Sequence, residues 1–157
     1  MPTICIRTTV AAPISRCFDL SRSIDLHKIS TAATGEEAIA GVTTGLIGMG
    51  EQVTWRARHF GVWQTLTSKI TAYVRPTYFV DEMVKGAFQG FRHEHLFEER
   101  QGQTLMTDRF NYTSPLGPLG KCADILFLKR YMTTLLQERN NVIKTFAESD
   151  RWREVLP

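Results

Sequence analysis

Between Glu51 and Thr113 the chain reads EQVTWRARHFGVWQTLTSKITAYVRPTYFVDEMVKGAFQGFRHEHLFEERQGQTLMTDRFNYT, and this stretch decides the fold. Alternating and β-branched segments are separated by turn residues, a pattern of strands rather than helices. Val53, Trp55 and Ala57 alternate with Thr54, Arg56 and Arg58 up to a turn at Phe60-Gly61. Strand-like composition then runs from Val62 to Val74 and stops at Arg75-Pro76. Thr77–Lys85, Phe88–Glu98 and Thr104–Thr113 complete the series. Lys85-Gly86 and Gln101-Gly102 stand where tight hairpin turns belong.

Upstream, Thr3–Val10 is β-branched and reads as a strand. Ala12-Pro13 ends it, and Pro13 suits the first turn of a helix that carries Ile14, Cys17 and Phe18. The spacing predicts a second short helix from Ser21, with Ile24, Leu26 and Ile29. Glycines at 35, 41, 45, 48 and 50 then predict a strand near Glu36–Ala40 and a loop. Gly45-Leu46-Ile47-Gly48-Met49-Gly50 lacks both the Lys-Ser/Thr ending and the glycine order of a phosphate loop, so it reads as a hairpin loop.

Downstream, Pro115-Leu116-Gly117-Pro118-Leu119-Gly120 breaks the sheet. From there to about Glu148, Ile125, Leu128, Met132, Leu135, Val142 and Phe146 recur at helical steps. They predict an amphipathic helix of roughly seven to eight turns. The fold class is therefore α+β. A curved antiparallel sheet of about seven strands wraps a long C-terminal helix, with two short helices after the first strand and a cavity between sheet and helix. Residues 1–157 read as a single domain without repeat or linker.

Composition narrows the function classes. A length of 157 residues suffices to bury about two-thirds of the unfolded surface. Hydrophobic content of 43% and charged content of 22% are those of an ordinary globular protein. The net charge of +3 is mild and the basic residues are scattered, so nucleic-acid binding is not implied. No apolar run approaches membrane-spanning length, and the N-terminus lacks the pattern of a secretory signal. Cys5, Cys17 and Cys122 show no metal-type pairing and read as free, buried thiols in a reducing compartment. The expectation is a cytoplasmic protein; no oligomeric state is assigned.

The order strand, helix pair, six strands, long helix is that of the helix-grip fold, and the chain resembles the START-like, or SRPBCC, superfamily. The resemblance covers nearly the whole chain. It rests on Ala12-Pro13-Ile14 through Phe18-Asp19-Leu20, Gly50-Glu51-Gln52-Val53-Thr54-Trp55-Arg56-Ala57 and His59-Phe60-Gly61. It continues through Phe79-Val80-Asp81-Glu82-Met83, Phe91-Arg92-His93-Glu94-His95-Leu96-Phe97 and Tyr112-Thr113-Ser114-Pro115-Leu116-Gly117. The superfamily includes lipid-transfer domains, plant hormone receptors and polyketide cyclases. The later segments look most like small bacterial members of unknown ligand. The resemblance implies a small hydrophobic partner (a lipid, isoprenoid, polyketide or aromatic metabolite) and no cofactor.

Strand periodicity singles out the candidate site. Phe91, His93, His95 and Phe97 share one face, and two phenylalanines beside the histidines point that face inward. Phe79, Asp81 and Met83 group likewise on the preceding strand, and Met106, Asp108, Phe110 and Tyr112 on the last. A tight turn near Gly86-Ala87 predicts Asp81 opposite His93, and a four-residue turn Glu99–Gly102 predicts Asp108 on its other side. Carboxylates on both sides would favour the imidazolium and raise the His93 pKa.

Three roles are open to this cluster: a self-satisfied structural network, ligand recognition, and catalysis or metal binding. No spacing here is diagnostic of a metal, and none is assigned. Trp55, Met132 and Arg139 join the ligand-binding candidates, Arg139 because it lies beside the helix stripe and either snorkels to solvent or reaches into the cup. Trp63, Tyr73 and Tyr78 are weaker pocket candidates, and His27 and His59 read as surface residues. The leading expectation is binding of a small hydrophobic ligand. A cyclase- or dehydratase-like enzyme centred on His93 and an interaction module with a filled core are the alternatives.

Overall fold

In the computed structural model, residues 2–114 and 127–157 are described. The elements are β1 (Thr3–Val10), α1 (Ile14–Ser21), α2 (Ile24–Ser30), β2 (Glu37–Gly41), β3 (Gln52–His59), β4 (Val62–Val74), β5 (Tyr78–Lys85), β6 (Gly90–Arg100), β7 (Gln103–Thr113) and α3 (Lys129–Ala147). The strands form one antiparallel sheet in the order β1-β7-β6-β5-β4-β3-β2. Hairpins link β2 through β7 in sequence, and β1 adds at the far edge, pairing along its length with β7. This is the expected helix-grip architecture.

Turn chemistry sets the registers. Phe60-Gly61 and Gln101-Gly102 are two-residue turns with positive φ throughout, 53° and 76° in the first and 53° and 78° in the second. Such turns match the twist of a hairpin. The four-residue turn expected at Glu99–Gly102 is therefore a two-residue turn, with Arg100 facing Gln103. The β6–β7 register moves by two residues, so His93 faces Phe110 and His95 faces Asp108. A shift of two preserves the face of every side chain, where a shift of one would have inverted it.

Other expectations need adjustment. The second helix starts at Ile24 rather than Ser21, because Ser23 caps it by accepting the Leu26 N–H. The Gly45–Gly50 segment is more than a hairpin loop. Gly45 O accepts from Ile24 N, Ile47 N donates to Arg22 O, and the Gly45 N–H is held by Asp25 Oδ2. Cys5 is exposed while Cys17 is buried. Cys122, the Pro115–Gly120 break and the place of Ile125 on the helix lie outside the described residues.

On α3 the buried line runs through Leu136, Arg139, Asn140, Ile143 and Phe146, with Leu135 and Val142 half-buried on its flank. Helix and sheet enclose a core in which Phe18 is fully buried. Its ring makes edge contacts with Tyr73, Phe79 and Phe97 at 5.4, 5.4 and 5.3 Å. Among the described residues no helix is long and apolar enough to cross a membrane.

Candidate binding cavity and its polar wall

The site begins with the pleat of β6. Arg92 and Glu94 pair with each other on the outer face at 2.8 Å, and Tyr78 from β5 donates to Glu94 there. The alternate residues His93 and His95 are buried on the concave face, their rings 3.8 Å apart. From β5, Asp81 stands opposite His93 in register, as expected. Its nearest ring nitrogen is nevertheless His95 Nε2, which lies 3.8 Å from Asp81 Oδ2.

Asp108 is the hub. Its Oδ1 accepts from His93 Nε2 at 2.8 Å and lies 3.3 Å from His95 Nδ1. Its Oδ2 accepts from Asn140 Nδ2 at 2.7 Å, and Arg139 Nη1 approaches Oδ1 to 3.5 Å. Arg139 also donates to Asn140 Oδ1 at 2.9 Å and to the Ser21 carbonyl at 3.0 Å. At 8% exposure it reaches inward rather than snorkelling. The carboxylate thus ties β6, β7, α1 and α3 together.

These surroundings set the protonation states. Burial alone would raise the Asp108 carboxyl, but hydrogen bonds from His93 and His95 and the charge of Arg139 hold it well below the usual carboxylate range. Burial likewise works against ionised Asp81, and His95, His93 and Ser68 outweigh it to lower its pKa. His93 goes opposite to expectation. Burial first, and the neighbouring His95 second, lower it to about 4 despite the Asp108 hydrogen bond. At neutral pH it is therefore a neutral imidazole donating Nε2–H to an ionised Asp108.

Between this wall and α3 the described residues leave a cavity of about 520 Å³. Its lining includes the candidates Trp55, Phe79, Asp81 and Phe91 from the sheet together with His93 and His95. Met132 and Arg139 complete it from the helix side. Three candidates are not part of the lining. Asp108 lies behind the histidines, Met83 is half-buried further along β5, and Tyr112 is fully buried in the cluster with Ile4, Phe110 and Leu136. Of the weaker candidates, Trp63 is half-exposed beneath Arg56, and Tyr73 packs on Phe18.

Several lining residues escaped the sequence reading. His27 is half-buried, bonds Glu36 at 2.9 Å and packs its ring 4.3 Å from Trp55. His59 is also half-buried, with Nδ1 2.7 Å from the Tyr131 hydroxyl, and burial lowers its pKa. Beside it Phe60, Phe127 and Tyr131 cluster, and Phe60 and Phe127 are each 57% exposed, marking an apolar mouth. Asn140 was missed although it falls on the buried stripe, four residues after Leu136 and three before Ile143. A polar residue at such a position is itself a signal of a buried network.

No family model and no curated protein sequence matches the chain. Solved structures do. The protein TTHA0849 from Thermus thermophilus aligns over 98% of both chains with a TM-score of 0.75 at 13% identity. Major latex-like protein 151 from Panax ginseng aligns over 94% of this chain and 98% of its own, with a TM-score of 0.66 at 14% identity. The di-domain ARO/CYC StfQ from the steffimycin biosynthetic pathway aligns over 93% of this chain and 50% of its own, with a TM-score of 0.73 at 13% identity. Seven antiparallel strands around a C-terminal helix, matched over 93% or more of this chain by each of these structures, give the chain a helix-grip fold.

Proposed function

We propose that this protein binds a small hydrophobic molecule, of the lipid, isoprenoid, polyketide or aromatic class, in the cavity between its sheet and α3. The observation that carries this reading is a cavity of about 520 Å³, lined mainly by apolar side chains, with Asp81, His93 and His95 grouped on its sheet wall. That volume and that distribution are those of small-molecule pockets. Burying about 300 Å² of apolar ligand surface contributes roughly 7 kcal/mol before the costs of association are subtracted.

Orientation comes from the wall. Among the described residues, Asp81 Oδ1 and His95 Nε2 are buried without hydrogen-bond partners. With Asp81 ionised and the His95 proton directed to Asp108, both are acceptors. A ligand presenting a hydroxyl or phenol to them would satisfy both atoms, whereas a carboxylate would be repelled.

The test is native mass spectrometry against the denatured mass, followed by titration of stripped protein with an anilinonaphthalene probe in wild type and Ala57→Phe. Ala57 is buried on the cavity wall, so phenylalanine there occupies ligand space. A co-purifying molecule, or saturable binding lost in the filled variant, supports the reading. No co-purifying molecule together with no saturable binding, or binding indifferent to the filled cavity, overturns it in favour of an interaction module.

A second reading is a cyclase- or dehydratase-like enzyme. Neutral His93 and the bare His95 Nε2 on an enclosed wall favour it, since both suit proton abstraction rather than the acid role expected from sequence. Loss of turnover in His95→Gln at unchanged ligand affinity would distinguish it from a carrier.

A further inference from the structure

We propose that Asp81, His93 and His95 form a binding site for one divalent first-row transition ion of the Zn²⁺ type, set in the cavity wall and independent of which organic molecule the cavity holds. Each of the three residues offers a donor atom, and these atoms all lie within 4.8 Å of one another. Two imidazoles and one carboxylate are a donor set that such ions accept, and three protein donors leave a coordination position open.

The hydrogen bonding behind the cluster prepares it for this role. Asp108 takes His93 Nε2 at 2.8 Å and faces His95 Nδ1 at 3.3 Å. With a proton on each of those nitrogens, the lone pairs fall on His93 Nδ1 and His95 Nε2. A carboxylate that orients a ligating histidine through its other nitrogen is the usual support of a metal site. Here one carboxylate serves both histidines, and Asn140 and Arg139 hold it in turn.

The front of the cluster is unsatisfied. His95 is 4% exposed, yet among the described residues its Nε2 has no hydrogen-bond partner, and neither has Asp81 Oδ1. Native proteins rarely leave such atoms bare, so each calls for a specific reason. The separation of 3.8 Å between His95 Nε2 and Asp81 Oδ2 is too long for a hydrogen bond. It is close to the spacing of about 3.4 Å that two donors take around a tetrahedral ion with bonds near 2.1 Å. The third donor lies within 4.8 Å of both, so a shift of at most about 1.4 Å brings it to the same spacing.

Charge agrees. The carboxylates of Asp81 and Asp108 outnumber the one guanidinium, that of Arg139, set beside them, which suits a dication. Asp81 is also the most open of the three, its side chain a quarter exposed on the cavity lining, so the free coordination position faces the cavity. A ligand oxygen (hydroxyl, phenolate or carbonyl) entering there would complete the ion's shell.

The experiment uses the full chain stripped with chelator and titrated calorimetrically with ZnSO₄ alone, with Co²⁺ absorption as a second readout and thermal midpoints with and without Zn²⁺ as a third. The expected result is one ion per chain, a visible Co²⁺ ligand-field spectrum, and a midpoint raised by Zn²⁺. Asp81→Asn and His95→Gln should each lower affinity about tenfold or more, and Asp108→Asn about 10–100-fold. Cys5→Ser, which removes an exposed thiol remote from the cluster in sequence, should bind as wild type does.

No saturable binding by wild type overturns the site. So does binding that Asp81→Asn and His95→Gln leave intact, which would mark a surface-bound ion only. Should His95→Gln fail to fold, Asp81→Asn alone decides, because its side chain is isosteric and partly open. Organic-ligand binding plays no part in these readouts, so failure of the carrier reading and failure of the metal site are separable.

Discussion

Phe18 and Asp108 are both hubs of the buried interior, and the contrast between them separates a packed core from a polar wall. Around Phe18 the contacts are mainly aromatic: three rings meet it edge-on, the Arg22 guanidinium lies 5.9 Å from its centre, and the side chain is fully buried. Around Asp108 the contacts are charged or hydrogen-bonded, and two nearby atoms on the side facing the cavity have no partner among the described residues. Phe79 belongs to both regions, since it meets Phe18 edge-on at 5.4 Å and stacks on His95 at 4.1 Å. One region holds the sheet to the helices. The other presents chemistry to an enclosed space, and the filled region keeps it in place.

The contrast can be broken from either side. Phe18→Ala should have the largest effect, a loss of about 3–5 kcal/mol in denaturant unfolding, because a full ring leaves a packed site. A loss under 1 kcal/mol would show that the apolar hub is not what carries stability. Asn140→Ala comes next. It removes a hydrogen bond to a charged, buried acceptor, and a loss of about 1.5–3 kcal/mol is expected in the same assay.

Acid should act mainly on the polar hub. His93 has a folded pKa of about 4 and an unfolded value of about 6.5. Between those limits the unfolded chain binds more protons, so this contribution is complete above pH 6.5 and is lost as pH falls towards 4. The groups facing His93 are His95 on its own strand, Asp81 from β5, Asp108 from β7 and Arg139 from α3. Unfolding of chelator-treated protein at pH 7, 6 and 5 should show the loss, and His93→Gln should reduce it. His59 adds a smaller loss of the same sign, which His59→Gln removes.

Asp81→Leu should have the smallest effect on stability, within about 1 kcal/mol, because the carboxylate is partly open and its Oδ1 has no hydrogen-bond partner among the described residues. Its effect on cavity occupancy should be large, measured as loss of a hydroxyl-bearing ligand in native mass spectrometry. Unchanged occupancy and unchanged stability together would remove Asp81 from the site.

Much of the container was legible, because strand and helix periods are written residue by residue. The alternation Phe91, His93, His95, Phe97 put both histidines on the concave face, and a hairpin centred near Ala87 put Asp81 opposite His93. Asp108 was correct in face and displaced by two residues in register, since turn length rather than side-chain pattern sets that count. Asn140, His27 and His59 stayed hidden. Each becomes part of the site only through a partner remote in sequence or in another element: Asp108 for Asn140, the ring of Trp55 for His27, Tyr131 for His59.

Local periodicity and turn residues by themselves determined a seven-stranded sheet, its inward residues and a long amphipathic helix, because these depend on neighbours along the chain. Three things were decided only by the tertiary structure: the protonation of His93, the inward turn of Arg139, and the two bare acceptors on the cavity wall. Sequence placed carboxylates beside His93 and so predicted a raised pKa. Burial against a second imidazole reverses the sign, and desolvation is a property of the assembled interior that no run of residues carries alone.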